Sequence, residues 1–383
     1  VARVVVTEYG GGAWFDGTSF VPRRVFVAGG RLSSAGAADE VVDLDGGWVV
    51  PPYGEGHTHW LEPALADAYV AEHLRAGVFY VKDHATSPVW RAAMDLGGPA
   101  SVDYAAANQG FTAPGGHPFG LYTQLVSMGV LPAGGDVDGE AAFAVSSEAD
   151  VARVWPGFLD ARPDFVKVFL AHAEGGHERH GIAPALVSDI VRRAHDAGLR
   201  VSAHIETAYD FHVAVTSGVD DVAHLPFVDA VDPASYRLAD ADVAVAGARG
   251  MTVATTLQWL DEGERDVRLD VTRDNVARLV AAGAVLVVGT DLLRATARRE
   301  ADLLARYELL GTPLDLLRAW CVDTPRACFP GRGLGALDDG AEASFLVLGS
   351  DPLRDFAATA DIRLRVKDGG LVEPGDATFP PLG

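Results

Sequence analysis

Between residues 51 and 334 the chain repeats one pattern that few folds accommodate: an apolar strand, a loop, then an amphipathic helix, spaced as parallel β/α units are. The clear strands read "GVFYVKD", "DFVKVFLAH", "LRVSAHIE", "DDVAHLPF", "MTVATTLQW" and "AVLVVGTDLL". Helices fall between them, as in "PALVSDIVRRAHDAG", where Leu186, Ile190, Val191 and Ala194 share one face and a glycine follows the end. A strand carrying His57 and a less distinct one near Phe111 to Gly116 bring the expected count to eight. Eight parallel strands with outer helices form an α/β fold of the (β/α)8 TIM-barrel type, whose chemistry sits at the carboxyl ends of its strands.

The chain ends have a different style. The first fifty residues run "ARVVVTEYGG", "SFVPRRVFVAGGRL" and "EVVDLDGGWVV", short β-rich stretches punctuated by glycine pairs, which predict a small antiparallel sheet. "ASFLVLGSD" and "IRLRVKDGGLV" return to it near the other end. The expectation is a composite β-sandwich domain from residues 1–50 and 335–383, beside a barrel of residues 51–334. A length of 383 residues, 49% of them hydrophobic, supplies enough core for both.

Charge excludes one large class of partners. Thirty-one Lys and Arg stand against 53 Asp and Glu, a formal net charge of −22 that would repel a nucleic acid over most of the surface. No apolar run approaches the ~20 residues of a membrane span. Cys321 and Cys328, the only cysteines, are too few for a disulfide framework and read as buried thiols. The opening residues lack a signal-peptide pattern, so cytoplasm is the expected location, with a removed leader left open because the chain does not start with Met.

"GEGHTHWLEP" places His57 and His59 on one side of an extended strand, able to face a single ion. With 12 histidines in the chain such a pair would arise by chance in roughly one sequence in three. Weight comes from the other strands: Lys167, His204, His224 and Asp291 also stand at the carboxyl ends of apolar runs, and each is costly to bury. Imidazoles and a carboxylate converging on one mouth suit Zn²⁺, with Mn²⁺, Co²⁺ or Fe²⁺ as alternatives. Lys167 fits in one of two ways. It binds a substrate anion away from the cations, or it reacts with CO2 and becomes an anionic carbamate.

These residues resemble the amidohydrolase superfamily, nearest its imidazolonepropionase-like and prolidase-like branch. The likeness rests on "GHTH", "VKVF", "SAHIET", "AHLPF", "GTD" and the ending "DTPRACFPGRGLGALDDGAEASFLVLGSDPL". It implies two divalent metal ions, one on His57, His59 and Asp291, the other on His204 and His224, with carboxylated Lys167 between them. It also implies hydrolysis by a hydroxide shared by the ions, with Asp291 as the catalytic proton carrier. The sequence departs from the family in "PPYGEGHTH", where Glu55 replaces an aspartate, and in "AS" for the usual "AD" before the last strand.

The resemblance makes the expected substrate a small molecule with a C–N bond: an amide, a cyclic amide, or an N-acyl or dipeptide-like compound. Lactones, carbamates and phosphotriesters are alternatives on the same centre, and a non-catalytic barrel scaffold is the rival from another class. His117, His172, Glu206 and Tyr80 are the expected substrate contacts, with Lys82 and Gln258 as further candidates. His177 and His180 fall with His172 in a loop over the mouth, whereas His73, His84, His195 and His212 read as structural or exposed. A homo-oligomer is an expectation drawn from the resemblance alone.

Overall fold

The structure, a computed structural model, describes residues 4–59, 61–131, 139, 141–174, 177–178, 181–228, 232–257 and 267–379. The amino-terminal strands are β1 (Val6–Phe15), β2 (Phe20–Ala28), β3 (Arg31–Ser33), β4 (Glu40–Asp43) and β5 (Trp48–Val50). Next come β6 (Tyr53–Thr58), β7 (Val78–Asp83), β8 (Asp103–Ala106), β9 (Gly110–Thr112), β10 (Ala142–Ala144) and β11 (Val166–Phe169). An antiparallel pair, β12 (Ala173–Glu174) and β13 (His177–Glu178), precedes β14 (Val201–His204), β15 (Asp221–Val222), β16 (Thr252–Ala254) and β17 (Val285–Val287). The chain ends through β18 (Phe345–Leu348), β19 (Ile362–Lys367) and β20 (Gly370–Leu371).

The two chain ends meet in one sheet of order β20-β19-β18-β5-β1-β2-β3, with β4 also on β1. β18 pairs antiparallel with β5, joining the carboxyl-terminal strands to the amino-terminal ones. The expected antiparallel sheet is in fact mixed, because β4 and β5 both run parallel to β1. Residues 34–39 carry the chain back to the end where β1 starts, so β4 repeats its direction instead of reversing it. Tyr9, Trp14, Val25, Val49, Phe345 and Val366 form a core belonging to this sheet alone.

The rest is α/β. One parallel sheet has the order β10-β9-β11-β14-β15-β16-β17, and a second has β6-β7-β8. Backbone hydrogen bonds link them on both flanks: Asp164 N donates to Ala106 O at 2.9 Å, and Gly56 N to Val288 O at 2.8 Å. Alternation along the strands sorts the side chains. Val166, Val168, Val201 and Val222 pack outward against Leu186, Ile190 and Val213 of the covering helices, while Lys167 and Ser202 occupy the other face. The helix Pro184–Asp196 buries the four residues expected of it, Leu186, Ile190, Val191 and Ala194. Its first turn takes a proline, which has no N–H to leave unsatisfied.

One expected strand is corrected. The third is broken into β8 and β9 by Asn108, whose left-handed φ of 58° interrupts the extended chain. The strand ends at Thr112 because Pro114 and Gly115 turn away, so the segment expected up to Gly116 is strand only over Gly110–Thr112. Both cysteines are buried and unpaired. Among the described residues no helix is long and apolar enough to cross a membrane.

Candidate metal centre

Strand β6 carries His57, with His59 one residue past its end, and the chain continuing from β17 reaches Asp291. The glycines of "GHTH" and "GTD" bring these strands together. A Cβ on Gly289 would stand 2.7 Å from His57 N, and one on Gly56 3.0 Å from the Val288 carbonyl, so a side chain at either would force the strands apart. Asp291 N donates to His57 O at 2.8 Å. Glu55 fastens the same junction, accepting from His57 N at 3.1 Å and from Thr290 N at 2.9 Å. Asp291 Oδ1 then lies 2.8 Å from His59 Nε2 and 3.3 Å from His57 Nε2. The two Nε2 atoms are 2.9 Å apart.

A second group forms on the neighbouring strands. His204 Nδ1 lies 2.7 Å from His224 Nε2, and His204 Nε2 lies 2.7 Å from Glu206 Oε1. The His117 ring stacks on His204 with centroids 4.1 Å apart and planes 11° from parallel. The groups face each other, since the His57 and His224 rings stack at 5.8 Å. Lys167, fully buried, places Nζ 3.4 Å from His84 Nδ1, and the His84 ring lies 4.1 Å from that of His57.

Proton accounting tests whether these donors suit a cation. His57 gives its Nδ1–H to the Ala223 carbonyl and His224 gives its Nδ1–H to the Leu225 carbonyl at 3.0 Å, which leaves a lone pair on each Nε2. The row Leu225 O, His224, His204, Glu206 has three contacts and needs three protons, whereas two neutral imidazoles bring two. A third ring proton is disfavoured. Burial holds His204 well below the usual imidazole range, with His117 and His224 adding to the effect, and burial brings His224 down to about 4. With the His204 proton on Nε2, facing Glu206, the contact at 2.7 Å brings two lone pairs together, which a divalent cation would satisfy. The residues fit a metal site.

The remaining electrostatics agree. Burial pushes Lys167 down to about 7, partly opposed by Asp291 and Asp221. It also acts to raise Asp291, but the hydrogen bond and charge of His59, with His224 and Lys167, hold that carboxyl below its ordinary value. His57, His59 and Asp291 offer donor atoms within 4.8 Å of one another, and so do His117, His204 and Glu206.

The other expected residues divide. His117 and Glu206 join the cluster. His172 does not present a free ring: Nδ1 meets Asp210 Oδ1 at 2.5 Å and Nε2 meets the Ile182 carbonyl at 3.2 Å, pinning the loop after β11 to the helix Ala208–Ser217. Tyr80 stands apart: it shares the face of Lys82 but lies two residues further from the carboxyl end of β7, packed against Phe329 and beneath the Arg332 guanidinium. Lys82 is occupied by Asp221 at 3.0 Å. His73, His195 and His212 are structural, bonded to Tyr69 O, Asp220 and Asp242. His84 corrects its expected role. It is buried in the cluster, with Nε2 on Gly56 O at 3.1 Å and Nδ1 3.2 Å from Ser202 Oγ. The alternation Tyr80, Lys82, His84 along β7 was the available signal. The His177 side chain, His180 and Gln258 lie outside the described residues.

Glu300, on the helix Ala297–Arg306, supports the rim. Its carboxyl accepts from Thr255 Oγ1 at 2.5 Å and Leu257 N at 2.8 Å, holding between them Thr256 at a left-handed φ of 43° that a β-branched residue rarely adopts. Burial lifts Glu300 from its ordinary 4.5 to about 8 despite both donors. Over that window the folded protein keeps a proton that the unfolded chain releases, so the contribution of Glu300 is complete below the window and lost as pH rises through about 8. Glu300→Gln should flatten this fall, read from urea midpoints near about pH 5 and about pH 9 in chelator, which removes pH-dependent metal binding. An unchanged slope would assign the pH dependence to other groups.

The same fold is found in known proteins. Residues 65–372 match the amidohydrolase family, and the chain belongs to that family. Its fold is shared by a putative prolidase from Bifidobacterium longum, with a TM-score of 0.73 and 18% identity over 98% of this chain and 97% of that one. It is shared also by the A. niger ochratoxinase, at 0.75 and 16% over 99% and 100%, and by molinate hydrolase, at 0.73 and 16% over 100% and 98%. A stretch of 76 residues is 41% identical to an uncharacterised protein of Mycobacterium tuberculosis. That match spans 18% of this chain and only 12% of the relative's length.

Proposed function

We propose that this chain hydrolyses a C–N bond in a small molecule: an amide, a cyclic amide, or an N-acyl or dipeptide-like compound. Two divalent ions, zinc by preference, would be held at the mouth of a closed (β/α)8 barrel of residues 51–334. Residues 1–50 and 335–383 would form the composite domain beside it. The observation that carries this reading is the 2.7 Å contact between His204 Nδ1 and His224 Nε2, two rings whose opposite nitrogens each have an acceptor, Glu206 Oε1 and the Leu225 carbonyl.

His57, His59 and Asp291 would hold one ion and His204 and His224 the other, with Lys167 between them. Burial leaves Lys167 with a pKa of about 7, so a neutral amine is available to form an N–C bond with CO2, one N–H proton leaving to solvent. The carbamate so formed adds the negative charge that two neighbouring cations require. When bound, the ions supply Lewis acidity, polarising a carbonyl and acidifying water. Asp291, beside His57 and His59, would take the proton of the attacking water and pass it to the leaving nitrogen, giving a carboxylate and an amine.

Elemental analysis of the purified protein is expected to find close to two divalent ions per chain. Chelation should reduce turnover to the buffer blank, and added zinc should restore it. Panels of Xaa-Pro dipeptides and N-acyl amino acids, run beside lactones and phosphotriesters, would identify the bond. Hydrolysis that persists undiminished in metal-free protein would refute the proposal.

A further inference from the structure

Each imidazole of a metal centre must present one particular nitrogen, and something must hold its proton on the other. For His57 and His224 that task falls to main-chain carbonyls, of Ala223 and Leu225. His204 differs. Its Nε2 faces a side chain, Glu206 Oε1 at 2.7 Å, while its Nδ1 faces His224.

We infer that Glu206 is a positioning residue, which keeps the His204 proton on Nε2 and thereby turns the Nδ1 lone pair toward His224 and the second cation. This rests on the metal-dependent reading above, and assigns Glu206 to the imidazole instead of to the substrate. Three features make it able to do so. Glu206 follows His204, the last residue of β14, by two, and the 2.7 Å contact shows that their side chains meet on one side. The Glu206 backbone is fixed, because its N–H donates at 2.9 Å to Asp210 Oδ2, the carboxylate that also forms the capping box of the helix Ala208–Ser217. His117 covers one face of the His204 ring, so the imidazole is held by stacking while Glu206 selects its tautomer. A carboxylate on the far nitrogen also makes the near one a stronger ligand.

The alternative tautomer shows why an acceptor is needed there. With its proton on Nδ1, His204 would donate to His224 Nε2 in a closed imidazole pair, and both nitrogens needed for the second ion would be consumed. The Glu206 carboxylate opposes this state, because a lone pair on Nε2 would then face a negative oxygen.

The test titrates zinc alone into chelator-treated protein and follows stoichiometry and both affinities by calorimetry. Glu206→Leu is expected to bind its second ion roughly 10–100-fold more weakly, with the first site unchanged. Glu206→Gln, whose amide oxygen still accepts from Nε2–H, should recover most of the loss. Two ions bound by Glu206→Leu with native affinity would overturn the inference, and so would an equal loss at both sites. A separate measurement does not depend on a variant folding. Imidazole 15N shifts of the metal-free native protein should report His204 protonated at Nε2, and an Nδ1–H tautomer would overturn the inference. Native protein that binds no zinc would instead sink the metal-dependent reading, while the 15N experiment still decides the tautomer.

Discussion

Asparagine at position 291 is expected to lower kcat by about 10²–10⁴-fold while leaving the protein folded. Asn is the informative replacement because residue 291 has a left-handed φ of 57°, a conformation that Asn adopts more readily than Ala. The backbone bond from residue 291 to His57 O survives the change, so the strands should stay in contact. What is removed is the negative charge that His59 meets at 2.8 Å, and with it a proton acceptor beside the histidine pair. The measurement is kcat on the best substrate of the panel, with zinc content and thermal midpoint recorded for the same sample. A zinc-loaded, folded Asp291→Asn protein with native kcat would exclude Asp291 as the proton carrier.

The strands bearing this site were legible because their residues break a strong local rule. Lys167, His204 and Asp291 are ionisable groups at the ends of runs that otherwise read Val, Phe, Leu and Ala, and such groups are buried only where something compensates them. His84 was harder, since it follows Asp83 at a strand end and its environment comes from Gly56, Lys167 and Ser202, all distant in sequence. The tautomers were not legible at all. They depend on which carbonyl a ring reaches, Ala223 or Leu225, and backbone carbonyls carry no sequence signal. The end sheet shows the same limit. Its strands were evident from alternation, but the parallel placement of β4 and β5 on β1 depends on the path of residues 34–39, which local pattern does not specify. His172 looked like a mouth residue because of its loop, and only the Asp210 carboxylate reveals that the ring is a pin.

Replacing Lys82 by Met should cost about 3–5 kcal/mol of stability, because it strands a buried carboxylate. Lys82 Nζ lies 3.0 Å from Asp221 Oδ2, and the two residues are only 5% and 3% exposed, so neither finds water when its partner is removed. The ammonium also sits 4.4 Å from the centre of the Phe165 ring, an added cation–π contact in a dry setting. Register places the pair in the layer of the candidate site: Lys167 is level with Ser202 on β14, and Ser202 with Asp221 on β15. Lys82→Met with Asp221→Leu replaces both charges by apolar groups of similar length, and should recover most of the loss, since a buried pair and a packed apolar pair are often close in free energy. Urea unfolding of the native protein, both single variants and the double variant gives the coupling directly. Additive losses in the double variant would mean that the two groups do not act as a pair. Recovery would show that this layer of the candidate site is held by the ion pair through the penalty for breaking it, with little net gain from forming it.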